Sequence, residues 1–249
     1  MPVTDARILS LEVAALPVKL PGGQPLTPLL TVAQKMVDAK VAGVVGHLNS
    51  GVTIPASAIY HQAGIPMISG SATNPNLTEQ GFKNVFRVVG RDDQQGPAIA
   101  SYLATEKKPK LVAVIDDATA YGEGIANEVE KTLKAAKITV LPREKGTDKT
   151  TDWKAVLTKL RGQKPDAIFY GGMDATGGPM LKQARELGIK AVFAFGDGAC
   201  TDEMGKLDKA TSSAPFMRLK TKIDELKADP RYQFMFSGML VGDTMADFI

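Results

Sequence analysis

Two short apolar runs, Val41–Val45 and Ile65–Ile68, each open into a small, hydroxyl-rich segment. The first segment reads His47-Leu48-Asn49-Ser50-Gly51 and the second Ser69-Gly70-Ser71-Ala72-Thr73. Serine and threonine hydroxyls, together with backbone N–H groups unpaired at a strand end or helix start, are donors suited to a small anion. Three later apolar runs end differently. Ile115 leads into Asp116-Asp117-Ala118-Thr119-Ala120-Tyr121-Gly122, and Tyr170 into Gly171-Gly172-Met173-Asp174-Ala175-Thr176-Gly177-Gly178. Phe195 leads into Gly196-Asp197-Gly198-Ala199-Cys200. These endings are glycine-rich and carry carboxylates or aromatics. A donor-rich set facing an acidic set suits a zwitterion, whose carboxylate and ammonium need opposite partners. The smallest such ligand is an amino acid.

Other chemistries fit these residues less well. His47 near Ser50 invites a hydrolase reading, but the spacing is not the G-x-S-x-G turn that exposes a nucleophile, and a packing role at the strand end competes with it. Asp116 and Asp117 could ligate a metal or cap their loop. Gly122-Glu123-Gly124 precedes a helix, yet the third glycine of a dinucleotide fingerprint is replaced by Asn127. No GxxxxGK[ST] loop occurs, so nucleotide hydrolysis is not expected. Tyr121 is either a loop anchor or a ligand wall. Asp197, between two glycines, is a ligand carboxylate or a loop cap.

These loops need elements to hold them. Thr53-Ile54-Pro55 reads as a helix start, with Thr53 capping and Pro55 inside the first turn. With the two apolar runs it makes a strand–helix–strand unit, and ligands of open α/β sheets bind outside the carboxyl ends of such strands. A helix from Leu29 to Lys40 precedes it; strand Val85–Val89 and helix Asp92–Thr105 follow. After the polar link Glu106-Lys107-Lys108-Pro109-Lys110 the pattern restarts. Strands are expected at Leu111–Ile115, Ile138–Leu141, Ala167–Tyr170 and Ala191–Phe195. Between them fall helices over Gly124–Ala136, from Asp152 with Trp153, Val156, Leu157 and Leu160 inward, and over Pro179–Leu187. Alternation of this kind predicts parallel sheets flanked by helices, here in two Rossmann-like lobes.

The 249 residues are 44% hydrophobic and 23% charged, an ordinary globular composition. Thirty basic against 27 acidic residues give +3 without a long run of one sign, so no nucleic-acid partner is expected. One cysteine permits no intramolecular disulfide, and with two histidines it makes a zinc site unexpected; no metal or cofactor is called for. No apolar stretch is long enough to insert into a membrane. The N-terminus carries Asp5 and Glu12 and lacks a basic leader followed by an unbroken apolar core. It does not read as a secretory signal peptide, which would leave the chain as it stands in the cytoplasm.

The segments GHLNSGVTIPASAIY, SATNP, TEQGFKNVFRVV, DDQQGP, DDATAYGEG, FYGGMDATGGP, LKQARELGIKA and FGDGAC together resemble the periplasmic leucine/isoleucine/valine-binding proteins, the substrate-binding components of branched-chain amino-acid ABC importers. The resemblance runs from about Val32 to Leu207. It implies a type I periplasmic-binding fold whose two lobes close around an amino acid, no enzymatic activity, an ABC permease as partner and a periplasmic location. Ser50, Ser71, Ala72 and Thr73 fall where that family holds the ligand carboxylate. Asp197 falls where an acidic residue meets the ammonium, and Tyr121 where an aromatic lines the second lobe. Met173 stands where some members carry tyrosine.

Residues 1–30 and 208–249 do not share the resemblance. The expected organisation is therefore an unmatched leader over 1–30, a carboxylate-side lobe over 31–107, an ammonium-side lobe over 108–207 and an unmatched helical tail over 208–249. Phe216, Leu219, Ile223 and Leu226 form the tail's apolar stripe. A first lobe lacking its opening strand–helix–strand unit would be incomplete and leave an open sheet edge, which favours self-association. The alternative to a solute-binding protein is thus a truncated or chimeric remnant that binds no ligand and acts only as an associating structural module.

Overall fold

Residues 28–201 and Met204 are described by the computed structural model, and they fold around two all-parallel sheets. The expectations for 1–27 and for the tail, its apolar stripe included, lie outside the described residues. The first sheet is ordered β1 (Val44–Val45), β2 (Met67–Ser69), β3 (Val85–Arg87). Its register sets Val44, Met67 and Val85 abreast, then Val45, Ile68 and Phe86. Successive residues of a strand face opposite sides. The first row packs with helices α1 (Pro28–Asp38) and α2 (Ser50–Gln62) in a core containing Ala33, Ala56, Tyr60, Leu77, Met67 and Val85. The second row is open, with Val45 88% and Phe86 52% exposed. Parallel sheets are ordinarily covered on both faces; among the described residues, helices cover one face of this sheet.

The second sheet is complete by that criterion. Its order is β5 (Thr139–Val140), β4 (Leu111–Asp116), β7 (Ala167–Gly171), β8 (Val192–Phe195), with β6 (Glu144–Lys145) pairing the end of β4 beyond the reach of β5. Residues alternate between two cores. Val112, Val114, Ala167 and Phe169 meet helix α5 (Ala120–Ala135) through Ile125, Val129 and Leu133. Ala113, Ile115, Ile168 and Tyr170 meet α6 (Lys154–Gln163) and α7 (Asp174–Glu186) through Leu157, Leu160, Met180 and Leu181. Trp153 closes that side, fully buried, its indole N–H donating to Thr176 O at 3.0 Å.

Helix α4 (Asp92–Tyr102), which the sequence division assigns to the first lobe, packs Ala100 and the following Leu103 into the second sheet's core. It runs into a π turn over Leu103–Lys107, stopped by Lys108 in the left-handed region at φ 50°. A short helix α3 (Asn76–Glu79), not anticipated, connects β2 to β3.

Three helices begin earlier than the sequence suggests. Helix α2 starts at Ser50, with Asn49 as its N-cap; Thr53 lies one turn inside, its hydroxyl donating back to Asn49 O (2.8 Å) and His47 O (3.1 Å). Thr53 is therefore not the cap. Helix α5 starts at Ala120 instead of Gly124, because Thr119 Oγ1 accepts from Gly122 N at 3.0 Å. Helix α7 starts at Asp174 instead of Pro179, since Gly177 and Gly178 lie buried within it against the sheet. The effect in each case is to place the helix start at the strand end.

Candidate functional site

The donor-rich cluster is assembled by hydrogen bonds among its own loops. Ser50, in the first turn of α2 and buried, accepts the Asn74 N–H on its hydroxyl at 3.1 Å. Ser69 Oγ receives the Ala72 N–H at 3.0 Å and itself donates to His47 O at 3.0 Å. Ser71, half-buried, donates to Leu48 O at 2.7 Å. Arg87 then reaches under the loop, its guanidinium donating to Ala72 O (3.0 Å) and Asn74 O (2.8 Å). With the carbonyls turned toward Arg87 the loop keeps its form. One side chain is left over: the Thr73 hydroxyl is buried and, among the described residues, makes no hydrogen bond. Beside it, the first N–H groups of α2 have no intrahelical partner.

The acidic cluster is built from three elements. Tyr121, in the first turn of α5, is buried with its ring in the second core. Its hydroxyl donates to Asp197 Oδ1 and accepts the Gly198 N–H, both at 2.8 Å. Burial and the Asp197 charge both hold the phenol well above its ordinary pKa. Gln95 of α4 grips Asp197 twice, donating to Oδ1 at 2.8 Å and accepting the Asp197 N–H at 2.6 Å. Asp197 itself is exposed, at the start of a 3-10 turn (Asp197–Ala199), and among the described residues its Oδ2 has no protein partner. Met173, the N-cap of α7, packs against the same core, and Gly198 is wedged between its sulfur and the Tyr121 ring: a Cβ there would lie 2.7 Å from Met173 Sδ and 2.8 Å from Tyr121 Cε1. Tyr121, Met173 and Asp197 are thus brought together. Gln95 was not singled out in the sequence, although it lies in the DDQQGP segment.

A seam joins the two clusters. Asn74 Nδ2 donates to Ala120 O at 2.6 Å. A Cβ on Gly124 would sit 2.6 Å from that amide nitrogen and 3.4 Å from Asp92 Oδ2, so any larger residue would push the Asn74 amide off Ala120 O. Asp92, at the start of α4, is fully buried. Burial, reinforced by the Asp197 charge, pushes its carboxyl up to about 7, against the opposing pull of the Thr73 hydroxyl and Arg87.

The competing chemistries find different geometry. His47 Nε2 pairs with Tyr60 Oη at 2.9 Å, and the rings stack at 5.8 Å, so it is a packing residue and not a partner of Ser50. Asp116 Oδ1 accepts the Ala118 N–H (2.8 Å), while Asp117 Oδ1 accepts the N–H and hydroxyl of Thr119 (3.0 and 2.7 Å): both cap their loop. Among the described residues no group of three or more His, Cys, Asp or Glu side chains is placed to hold a metal, and no helix is long and apolar enough to cross a membrane.

The arrangement has known counterparts. The periplasmic binding protein family profile matches residues 23–218, reaching beyond the motif resemblance at both ends. An amino acid binding protein of Pseudomonas aeruginosa is 38% identical over 203 residues, 81% of this chain and 53% of that protein. The Leu/Ile/Val-binding protein homolog 1 of Brucella abortus is 40% identical over 187 residues, 72% of this chain and 48% of that protein. The chain therefore spans about half the length of these relatives. Among solved structures, a leucine binding protein from Thermotoga maritima is similar with a TM-score of 0.70 at 25% identity, over 80% of this chain and 61% of that one. A branched-chain amino acid transporter substrate binding protein from Streptococcus pneumoniae, in complex with isoleucine, is similar with a TM-score of 0.64 at 31% identity, over 72% of this chain and 51% of that one. With its profile covering most of the sequence, and its parallel sheets bringing donor and acidic loops together across a seam, this chain belongs to the periplasmic binding protein family.

Proposed function

We propose that the chain is the ligand-holding part of a solute-binding protein that captures a branched-chain or related aliphatic amino acid between its lobes for ABC-type import in the periplasm. Ser50 and Thr73, with the first N–H groups of α2, hold the carboxylate. Ser50 Oγ accepts from Asn74, which leaves its own proton to donate. Ser71 and Ala72 shape that loop, their polar groups engaged with Leu48, Ser69 and Arg87. Asp197 meets the ammonium, and Tyr121 and Met173 face the aliphatic side chain. The role is binding, not catalysis, and the partner is an ABC permease.

The observation that carries this reading is the Thr73 hydroxyl, buried yet unpartnered in the loop that Arg87 holds. Buried hydroxyls without partners are uncommon, and a carboxylate would satisfy it. The names of the relatives and the isoleucine held by the Streptococcus pneumoniae protein give the ligand class.

Calorimetric titration with leucine, isoleucine, valine and an uncharged control tests it. Each charge-assisted bond contributes about 1.5–3 kcal/mol net, so Asp197→Ala should weaken binding by about ten- to a hundredfold. Equal leucine affinity in parent and variant would sink the ammonium assignment. A second reading, a non-binding associating module, draws on the open sheet face, where Val45, Phe86 and Val88 are each more than half exposed. A sizing column separates the two: that module runs as a dimer or larger whether or not leucine is present.

A further inference from the structure

Asp92 lies directly behind the proposed carboxylate loop. Its carboxyl is fully buried, and among the described residues neither oxygen has a hydrogen-bond partner. Its N–H donates to Thr73 O at 2.9 Å, which fixes it against that residue. The Thr73 hydroxyl faces the carboxyl and favours its charged form, without hydrogen-bond geometry. The Asn74 amide lies on the same side, and across the seam stands Gly124. The charged and titratable groups around it are Arg87 on β3, Asp93 on α4, Asp197 on the 3-10 turn and Tyr121 on α5.

We propose that Asp92 is a positioning residue for Thr73, sharing that hydroxyl with the ligand carboxylate, so that amino-acid binding draws one proton from solvent onto Asp92. The inference rests on the solute-binding reading above. A threonine hydroxyl has one proton to give and lone pairs to receive. Facing two carboxylates, it can donate to only one. If Asp92 is protonated as the ligand draws Thr73 into hydrogen-bond contact with it, its O–H donates to Thr73 Oγ1 and the Thr73 O–H donates to the ligand; every donor is then used once. If Asp92 is ionised, two carboxylates compete for one proton in a site that excludes water, where unpaired charge is costly. Burial already raises the Asp92 carboxyl to about 7, so the proton is within reach at neutral pH. The ligand ammonium acts in the opposite sense by offsetting the Asp197 charge. It does so through space, whereas the ligand carboxylate shares the Thr73 hydroxyl directly.

The test is leucine titration across pH 6 to 9, in phosphate and in Tris, whose ionisation heats differ. Affinity should be level below about pH 7 and fall by up to about tenfold per unit above it. At pH 8 the two buffers should report different heats, with net uptake approaching one proton. Asp92→Asn, whose amide donates at every pH, should lose the buffer difference and the pH slope. The parent heats stand without that variant should it fold poorly. Binding with a flat profile and equal heats in both buffers would overturn this inference alone. No leucine binding at any pH would overturn the amino-acid reading and this inference with it.

Discussion

Gly122 is the position where one methyl group should be felt most. It lies in the first turn of α5, and a Cβ there would meet Asp117 Oδ1 at 2.2 Å and Gly171 O at 2.5 Å. Neither neighbour can step aside. Gly171 O is backbone at the end of β7, and Asp117 Oδ1 is tied to Thr119 by two hydrogen bonds. Reciprocally, a Cβ on Gly171 would meet Gly122 O at 2.4 Å. Ordinary contact begins near 3.4 Å, so the helix start must withdraw from the sheet by roughly 1 Å. That lifts Tyr121 and Ile125 from the second core. Overpacking of this kind costs about 1–3 kcal/mol, and partial loss of the Thr119 cap moves the value to the upper part of that range. For Gly122→Ala we expect about 2–3 kcal/mol, a fall of roughly 4–12 °C in Tm. Thermal and urea melts measure it. Because the two glycines share a single displacement, Gly122→Ala and Gly171→Ala together should cost less than their sum. A melt within about a degree of the parent, or strict additivity, would refute the close-approach argument.

Tyr121→Phe removes a hydroxyl serving both Asp197 Oδ1 and the Gly198 N–H, so urea melts should show a loss of about 1–2 kcal/mol and titration a weaker leucine complex. Trp153→Phe removes the indole hydrogen bond to Thr176 O and leaves a void in a fully buried site, expected to cost about 2–4 kcal/mol in the same melts. Asp92 links stability to pH without any ligand. Its folded pKa of about 7 lies above the ordinary 3.8, so the native state keeps a proton that the unfolded chain releases, and stability declines as pH rises through that window. The full shift corresponds to at most about 4 kcal/mol, and Tm compared at pH 5 and pH 8 should fall in the parent but stay level in Asp92→Asn.

The strands were legible because β-branched and aromatic residues gather in short runs, and the second sheet, covered on both faces, gives nearly continuous apolar stretches such as Leu111–Asp116. The loops at their ends were legible by residue type, which is why Ser50, Thr73, Tyr121 and Asp197 could be named. What sequence could not convey was partnership at long range. Gln95 and Asp197 are 102 residues apart, and nothing local marks one as the holder of the other. Asp92 beside Asp93 looks like an ordinary acidic helix start, yet tertiary packing buries Asp92 completely and leaves Asp93 pairing with Arg91.

Two of the three misplaced helix starts share a cause. Glycine near a strand end signals a loop, which puts the expected start of α5 at Gly124, past Gly122, and that of α7 at Pro179, past Gly177 and Gly178. In the folded chain Gly122, Gly124 and Gly177 lie inside helices, where a missing Cβ lets the helix approach a strand end or the opposing lobe. A ligand site on an open α/β sheet needs that proximity, since helix N-termini and strand ends must converge on one small molecule. Local sequence signals therefore lose the element boundaries at the same positions where tertiary packing assembles the site. A glycine-rich strand end followed by an amphipathic stripe is better read as a helix that begins at the strand end and is pressed against it.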